Sequence, residues 1–256
     1  MSLKNVLKNL PLNRLAYSDR VAYMMAECSK IAYAPHKAGL LKRLHLTPVS
    51  SYGSNFGNQA YLALNTDFAV LAFKGTVPHE ISTVETDLDV KLVHSRYGSV
   101  HRGFLDALKL MRWSIEQDLK KLKVPVFITG HSLGGALALL ASIFLKDEEH
   151  VAACYTFGCP RVGTDQLVDC IFKVPVYRVI HHADVVPAVP LLIMGYRSYG
   201  DVRYLADDGT VCEGGEASAK RLLASLNPLN LPRWVADHAV DKYVRILQVY
   251  AESRNP

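Results

Sequence analysis

Val124-Pro125-Val126-Phe127-Ile128-Thr129-Gly130-His131-Ser132-Leu133-Gly134-Gly135-Ala136-Leu137-Ala138-Leu139-Leu140-Ala141 decides how the chain folds. Pro125 and the run Val126-Phe127-Ile128-Thr129 predict a short buried strand. Residues 135–145 carry Ala and Leu at helical density with no breaker, so a helix follows. Between them lies G-x-S-x-G, from Gly130 to Gly134. So tight a turn forces Ser132 into a strained geometry and lifts its hydroxyl above the sheet edge. Glycines on either side let strand and helix approach each other. The Leu133 N–H sits at the start of the helix, where donors lack intrahelical partners and the dipole favours negative charge. Ser132 is thus a candidate nucleophile and Leu133 a candidate oxyanion donor. The plain alternative is a polar turn residue.

The chain has 256 residues, half of them hydrophobic, enough for one domain with a sizeable core. The formal charge of +5 comes from Lys and Arg scattered along the chain. Nucleic-acid binding would need a clustered basic stripe, so that class is set aside. Of 5 cysteines, Cys154 and Cys159 lie in an apolar stretch and read as buried free thiols. No spacing suggests a metal, and neither metal nor organic cofactor is expected. The first ten residues lack an apolar h-region, and no stretch is long enough to span a bilayer. A soluble protein is expected, cytoplasmic or exported by a route the sequence does not show.

Upstream of the serine, Ser18 caps a helix whose apolar face holds Val21, Met24, Met25, Cys28 and Ile31. Tyr61-Leu62-Ala63-Leu64 and Asp67-Phe68-Ala69-Val70-Leu71-Ala72-Phe73 read as a hairpin turned by Asn65-Thr66. The second strand ends in Lys74-Gly75-Thr76, the place for a second oxyanion donor or for a simple turn. Val77, Ile81, Val84 and Leu88 follow at helical spacing among acidic residues. This segment, 77–95, is either a surface helix or a lid over the site. A helix then runs from Phe104 to about Lys121, with Leu105, Leu108, Met111, Trp113 and Ile115 available for packing. The apolar excursion at 217–231 is either core cover or an acyl-binding wall.

Downstream, two apolar strands, Val151 to Phe157 and Val174 to Ile180, alternate with helical stretches. That alternation predicts parallel strands with crossover helices, and catalytic groups at their carboxyl ends. Asp184 occupies such a place. Serine nucleophiles on this type of turn are followed in the chain by the acid and then the base. His101 precedes the serine, and His181 and His182 precede the acid. Only His238 lies beyond, where a last loop enters a final helix, with Asp237 beside it as a candidate cap. Order alone selects Ser132, Asp184 and His238. Val185, Val186, Val189 and Leu191, just after the acid, either line an acyl trough or pack the core.

These residues resemble the class 3 lipases, the fungal-type triacylglycerol lipase family of the α/β-hydrolase fold. The resemblance rests on several segments in order. Ala72-Phe73-Lys74-Gly75-Thr76 is similar to the family's oxyanion strand, with Lys where Arg usually stands. Val100-His101-Arg102-Gly103-Phe104, Gly130-His131-Ser132-Leu133-Gly134-Gly135 and Thr156-Phe157-Gly158-Cys159-Pro160-Arg161-Val162-Gly163 match further motifs. So do Asp184-Val185-Val186-Pro187, Tyr196-Arg197-Ser198-Tyr199-Gly200 (with Ser198 for the usual His) and Asp237-His238 followed by Tyr243. The resemblance implies one α/β domain over 1–256: a mostly parallel central sheet, flanked by helices, with a short lid. It implies a carboxylic ester hydrolase, a triacylglycerol lipase first, with Thr76 and Leu133 as oxyanion donors. A short-chain or feruloyl-type esterase, a phospholipase A and a silent lipid-binding scaffold stay open. The implied partner is an ester or lipid substrate, with a lipid–water interface; no stable protein partner is implied.

Overall fold

Strands whose successive side chains point to opposite faces need cover on both sides when both faces are apolar. That is the case here. The computed structural model describes residues 10, 12, 16–53, 59–76, 90–145, 150–167, 173–206, 208, 210–213 and 234–253. The strands are β1 (Thr47–Gly53), β2 (Gln59–Leu64), β3 (Ala69–Phe73), β4 (Leu92–Ser95), β5 (Gly98–His101), β6 (Val126–His131), β7 (Val151–Phe157), β8 (Val176–His181), β9 (Asp201–Leu205) and β10 (Val211–Glu213). Eight form one sheet in the order β1-β2-β3-β6-β7-β8-β9-β10. From β3 to β9 neighbours run parallel, while β1, β2 and β10 pair antiparallel. The expected mostly parallel α/β sheet is therefore present.

Helices α1 (Asp19–Ile31), α2 (Ala38–Arg43), α3 (Arg102–Leu119), α4 (Leu133–Phe144), α5 (Trp234–His238) and α6 (Val240–Ser253) surround it. Ala69, Leu71 and Phe73 of β3, with Val126 and Ile128 of β6, pack with α3 and α4. Val70 and Ala72 of β3, with Phe127 of β6, pack on the other face with α1 and α6. Each fully buried Leu or Val contributes about 1.5–3 kcal/mol. Every residue of α4 from Gly134 to Phe144 is buried, as its unbroken apolar sequence requires. Among the described residues no helix is long and apolar enough to cross a membrane.

The β2–β3 hairpin turns as expected: the Asn65 side-chain oxygen accepts from the amides of Asp67 and Phe68 at 2.9 and 3.0 Å. Ser18 caps α1 by accepting from Val21 N. Trp113 corrects the packing read for α3: it is 71% exposed and Leu110 is 81% exposed, while Met111 and Ile115 face the core. The candidate lid residues Val77, Ile81, Val84 and Leu88 lie outside the described residues, as does 217–231. The end of the 77–95 range is a strand, since Leu92–Ser95 pairs with Gly98–His101 in a separate two-stranded ribbon.

Two glycines set how closely β6, α4 and β3 approach. A Cβ on Gly130 would lie 2.1 Å from Gly134 O, and one on Gly134 would lie 2.3 Å from Phe73 O. Both neighbours are backbone and cannot swing away. Gly130→Ala and Gly134→Ala are each expected to destabilise by about 3 kcal/mol, the upper end of the usual overpacking cost. Trp113→Gln is expected to change stability by no more than about 0.5 kcal/mol. Urea unfolding of the three variants checks both statements.

Candidate active site

β6 ends at His131, and the chain turns at Ser132 with φ 57° and ψ −130° into α4. A serine in this region costs roughly 1–3 kcal/mol and persists only where its surroundings over-determine it. They do so here. Ser132 N donates to Phe157 O at 2.9 Å, and Ser132 O accepts from Gly135 N and Ala136 N at 2.8 and 3.2 Å. Parallel pairing of Phe73 with Gly130 carries Lys74-Gly75-Thr76 alongside the turn. The virtual Gly134 Cβ falls 2.9 Å from Gly75 N, so the Thr76 segment and the first turn of α4 lie against each other. The Leu133 amide, at the start of that turn, has no intrahelical acceptor.

The candidate acid and base come from opposite ends of the sequence. Asp184 lies three residues past β8, buried, with Oδ1 accepting from Val186 N at 3.0 Å. His238, the last residue of α5, donates Nδ1–H to Asp184 Oδ2 at 2.8 Å. Tyr243 of α6 donates its hydroxyl to the same oxygen at 2.5 Å. Burial alone would raise the Asp184 pKa. The imidazole of His238 and the hydrogen bonds from His238 and Tyr243 outweigh it, so the carboxyl is held below its ordinary value. With Nδ1 donating to the carboxylate, Nε2 is the basic nitrogen. It is buried and has no hydrogen-bond partner among the described residues.

Gly158 shapes this pair. It sits at φ 56°, and a Cβ there would lie 2.8 Å from Asp184 Oδ2 and 2.9 Å from His238 Nδ1. Two arginines fix the acid loop. Arg178 of β8, almost wholly buried, donates Nη2 to Cys159 O at 3.0 Å and Pro187 O at 2.7 Å. Arg161 donates Nη1 to the carbonyls of Ala188 and Pro190. Such charge-assisted bonds to buried carbonyls are worth about 1.5–3 kcal/mol each.

His131, beside the serine, links the turn to α5. Its Nε2–H donates to His238 O at 2.6 Å, because a carbonyl can only accept. Nδ1 therefore accepts from Tyr33 OH at 2.8 Å. Both nitrogens being so engaged, the ring is neutral, and burial pushes its pKa down to about 3. The His131 and His238 ring centroids are 4.6 Å apart.

Ser132, Asp184 and His238 thus gather at the carboxyl ends of β6 and β8, with Thr76 and Leu133 at the same edge. Of the trough candidates, Val186 is buried, Val185 and Val189 are half-buried, and Leu191 is 54% exposed. Leu191 opens an exposed apolar run, Leu191-Leu192-Ile193-Met194. Asp237 corrects the capping expectation. It lies inside α5, and its carboxylate bonds His182 and Lys242 rather than helix amides. Arg178, Tyr33 and the hydroxyl of Tyr243 were not identified from sequence. Their roles depend on long-range partners, and only the buried charge of Arg178 within an apolar strand hints at one. His101 is structural, stacked on Phe104 at 4.0 Å and capping α3 by accepting from Phe104 N. Cys28, Cys154, Cys159 and Cys212 are free and buried, and burial pushes the thiols of Cys28 and Cys159 up to about 12.

Comparison with known proteins converges on one family. The sequence model for Lipase (class 3) matches residues 70–194. Toxin TseL of Vibrio cholerae serotype O1 is 30% identical over 182 residues, which are 54% of this chain and 28% of that protein. Secreted mono- and diacylglycerol lipase 1 of Fusarium solani is 34% identical over 132 residues, 45% of this chain and 40% of that one. The matches thus span less than half the length of these curated relatives. Among solved structures, lipase II from Rhizopus niveus superposes with a TM-score of 0.71 at 22% identity, covering 86% of this chain and 92% of that one.

The neutral His131 has a consequence for stability. Unfolded, it would take up a proton near pH 6.5; folded, it does so only near pH 3. Between those values the unfolded chain binds more protons, so stability falls as pH falls. The depressed carboxyl of Asp184 adds a loss only below about pH 4. His131→Gln is expected to flatten the decline between pH 5.5 and 4.5 by about 1.4 kcal/mol per pH unit, one proton's share. Urea unfolding at those pH values measures the slope.

Proposed function

We propose that the chain is a class 3 lipase, as the match over residues 70–194 supports, and that it hydrolyses carboxylic esters of acylglycerols through an acyl-enzyme on Ser132. One observation carries this reading: His238 gives Nδ1–H to the buried Asp184, keeps Nε2 without a partner among the described residues, and is tied through its carbonyl to His131, the neighbour of the strained serine in the chain. Nε2 takes the Ser132 proton as Oγ attacks the ester carbonyl. Asp184 holds the imidazole in its tautomer and stabilises the imidazolium. The amides of Leu133 and Thr76 receive the tetrahedral oxyanion, and one such donor is typically worth ~10²–10³ in turnover. His238 then protonates the leaving alcohol, and water, activated by the same nitrogen, releases the acid.

The substrate assignment is supported by the exposed apolar run Leu191-Leu192-Ile193-Met194 beside the acid loop, Ile193 being 91% exposed. Such a surface suits acyl chains at a lipid–water interface better than a small polar ester. In the same reading Val185, Val186, Val189 and Leu191 contact the acyl chain.

A fluorophosphonate probe is expected to label the wild type at Ser132 and to leave Ser132→Ala unlabelled. The wild type is expected to hydrolyse p-nitrophenyl esters and emulsified acylglycerols at least about 10³-fold faster than Ser132→Ala, which retains only the oxyanion hole and binding. Equal rates in the two would end the proposal. Preference for methyl ferulate or phosphatidylcholine over acylglycerols would keep the mechanism and overturn the substrate. In a chain-length series, Val186→Trp is expected to shift preference toward short esters.

A further inference from the structure

Asp237 is wholly buried, next to the candidate base, and takes no part in the chemistry above. A buried carboxylate costs several kcal/mol unless paired, so its partners explain why it is there. Its Oδ2 accepts from His182 Nδ1 at 2.9 Å and from Ala183 N at 3.3 Å. Its Oδ1 accepts from Lys242 Nζ at 3.0 Å. Its own backbone carbonyl accepts from His181 Nδ1 at 2.9 Å.

Set side by side, these contacts form a ladder. His181, His182 and Ala183 each bond Asp237, and the next residue, Asp184, bonds His238. Four consecutive residues, from the end of β8 into the acid loop, are thus bonded to two consecutive residues of α5. The rung from Ala183 to Asp237 runs directly beside the one from Asp184 to His238. His182 reaches its rung from a positive φ of 29°, a conformation that persists only where the surroundings enforce it. Lys242 returns from α6 and supplies a positive partner.

We propose that Asp237 is a positioning residue: it fixes the separation and angle at which the His238 ring meets Asp184, and so where Nε2 points. This rests on the reading of Ser132, Asp184 and His238 as a triad. The titratable groups facing Asp237 are His181, His182 and Lys242. Burial raises the carboxyl's pKa, but hydrogen bonds from His182 and Lys242 more than offset this, and it stays ionised. An anion there also favours the imidazolium that forms one residue away.

A purely structural clip would change how much protein folds, not how each folded molecule reacts. The test is therefore made per active site, with Ser132 titrated by fluorophosphonate. Asp237→Asn keeps the shape and loses the charge. It is expected to lower kcat by about 10²-fold with KM within a factor of two, the scale of an ångström's misplacement of a catalytic group. The acidic limb of its kcat/KM profile is expected to move to lower pH, since removing the anion disfavours the protonated imidazole. His182→Gln removes a single rung and is expected to shift both quantities in the same sense by less; it carries the test if Asp237→Asn fails to fold. Unchanged kcat per titrated site and an unchanged limb overturn the proposal, and so does a loss confined to KM. A wild type that the probe does not label would instead overturn the triad itself.

Discussion

A backbone conformation that serine resists underlies this structure. Ser132 is held at positive φ because its N–H is bonded to Phe157 O across the sheet and its C=O to the first turn of α4. Roughly 1–3 kcal/mol of strain is small beside the burial of β6 and α4, whose side chains are almost all in the core. The strain is stored between two buried elements, where relaxing it would mean dismantling the core. Gly130 and Gly134 belong to the same constraint, since their missing side chains are what let strand and helix close around the turn.

The proposed acid and base use a different device. Neither Asp184 nor His238 sits at positive φ; the pair is set by polar contacts in a buried region. Arg161 and Arg178 hold the loop after the acid from one side, and Tyr243 and the ladder to Asp237 hold it from the other. Low dielectric makes each bond strong and each missing partner costly, so such a network tends to be complete or absent. His131 joins the two devices, tying the serine turn to the His238 carbonyl while remaining neutral.

Local signals were legible in the sequence. The strand–turn–helix around Ser132, the Asn65 hairpin and the Ser18 cap each follow from a few adjacent residues, and each is present in the structure. The chain order of serine, acid and histidine picked out side chains that the fold brings to one edge. β1 was not legible: only Tyr52 of its residues is buried, so it shows neither alternation nor an apolar run. Trp113 was misread because periodicity finds the apolar face of a helix but cannot tell a residue beside that face from one on it. Asp237 was taken for a cap because capping is a local rule, whereas its partners at 181–183 are over fifty residues away.

That separation has a functional corollary. The proposed nucleophile, Ser132, is fixed by backbone and packing, which few substitutions leave intact. The proposed acid–base pair, Asp184 and His238, is fixed by side-chain hydrogen bonds, which can be retuned one at a time. The acid loop continues directly from this network into Leu191-Leu192-Ile193-Met194, the largest exposed apolar run among the described residues. Arg161 bonds Ala188 and Pro190, between the acid and that run. The Arg161 bonds thus lie in the chain between the exposed run and Asp184, so a change in the run meets that clamp before it reaches the bond from His238 to Asp184.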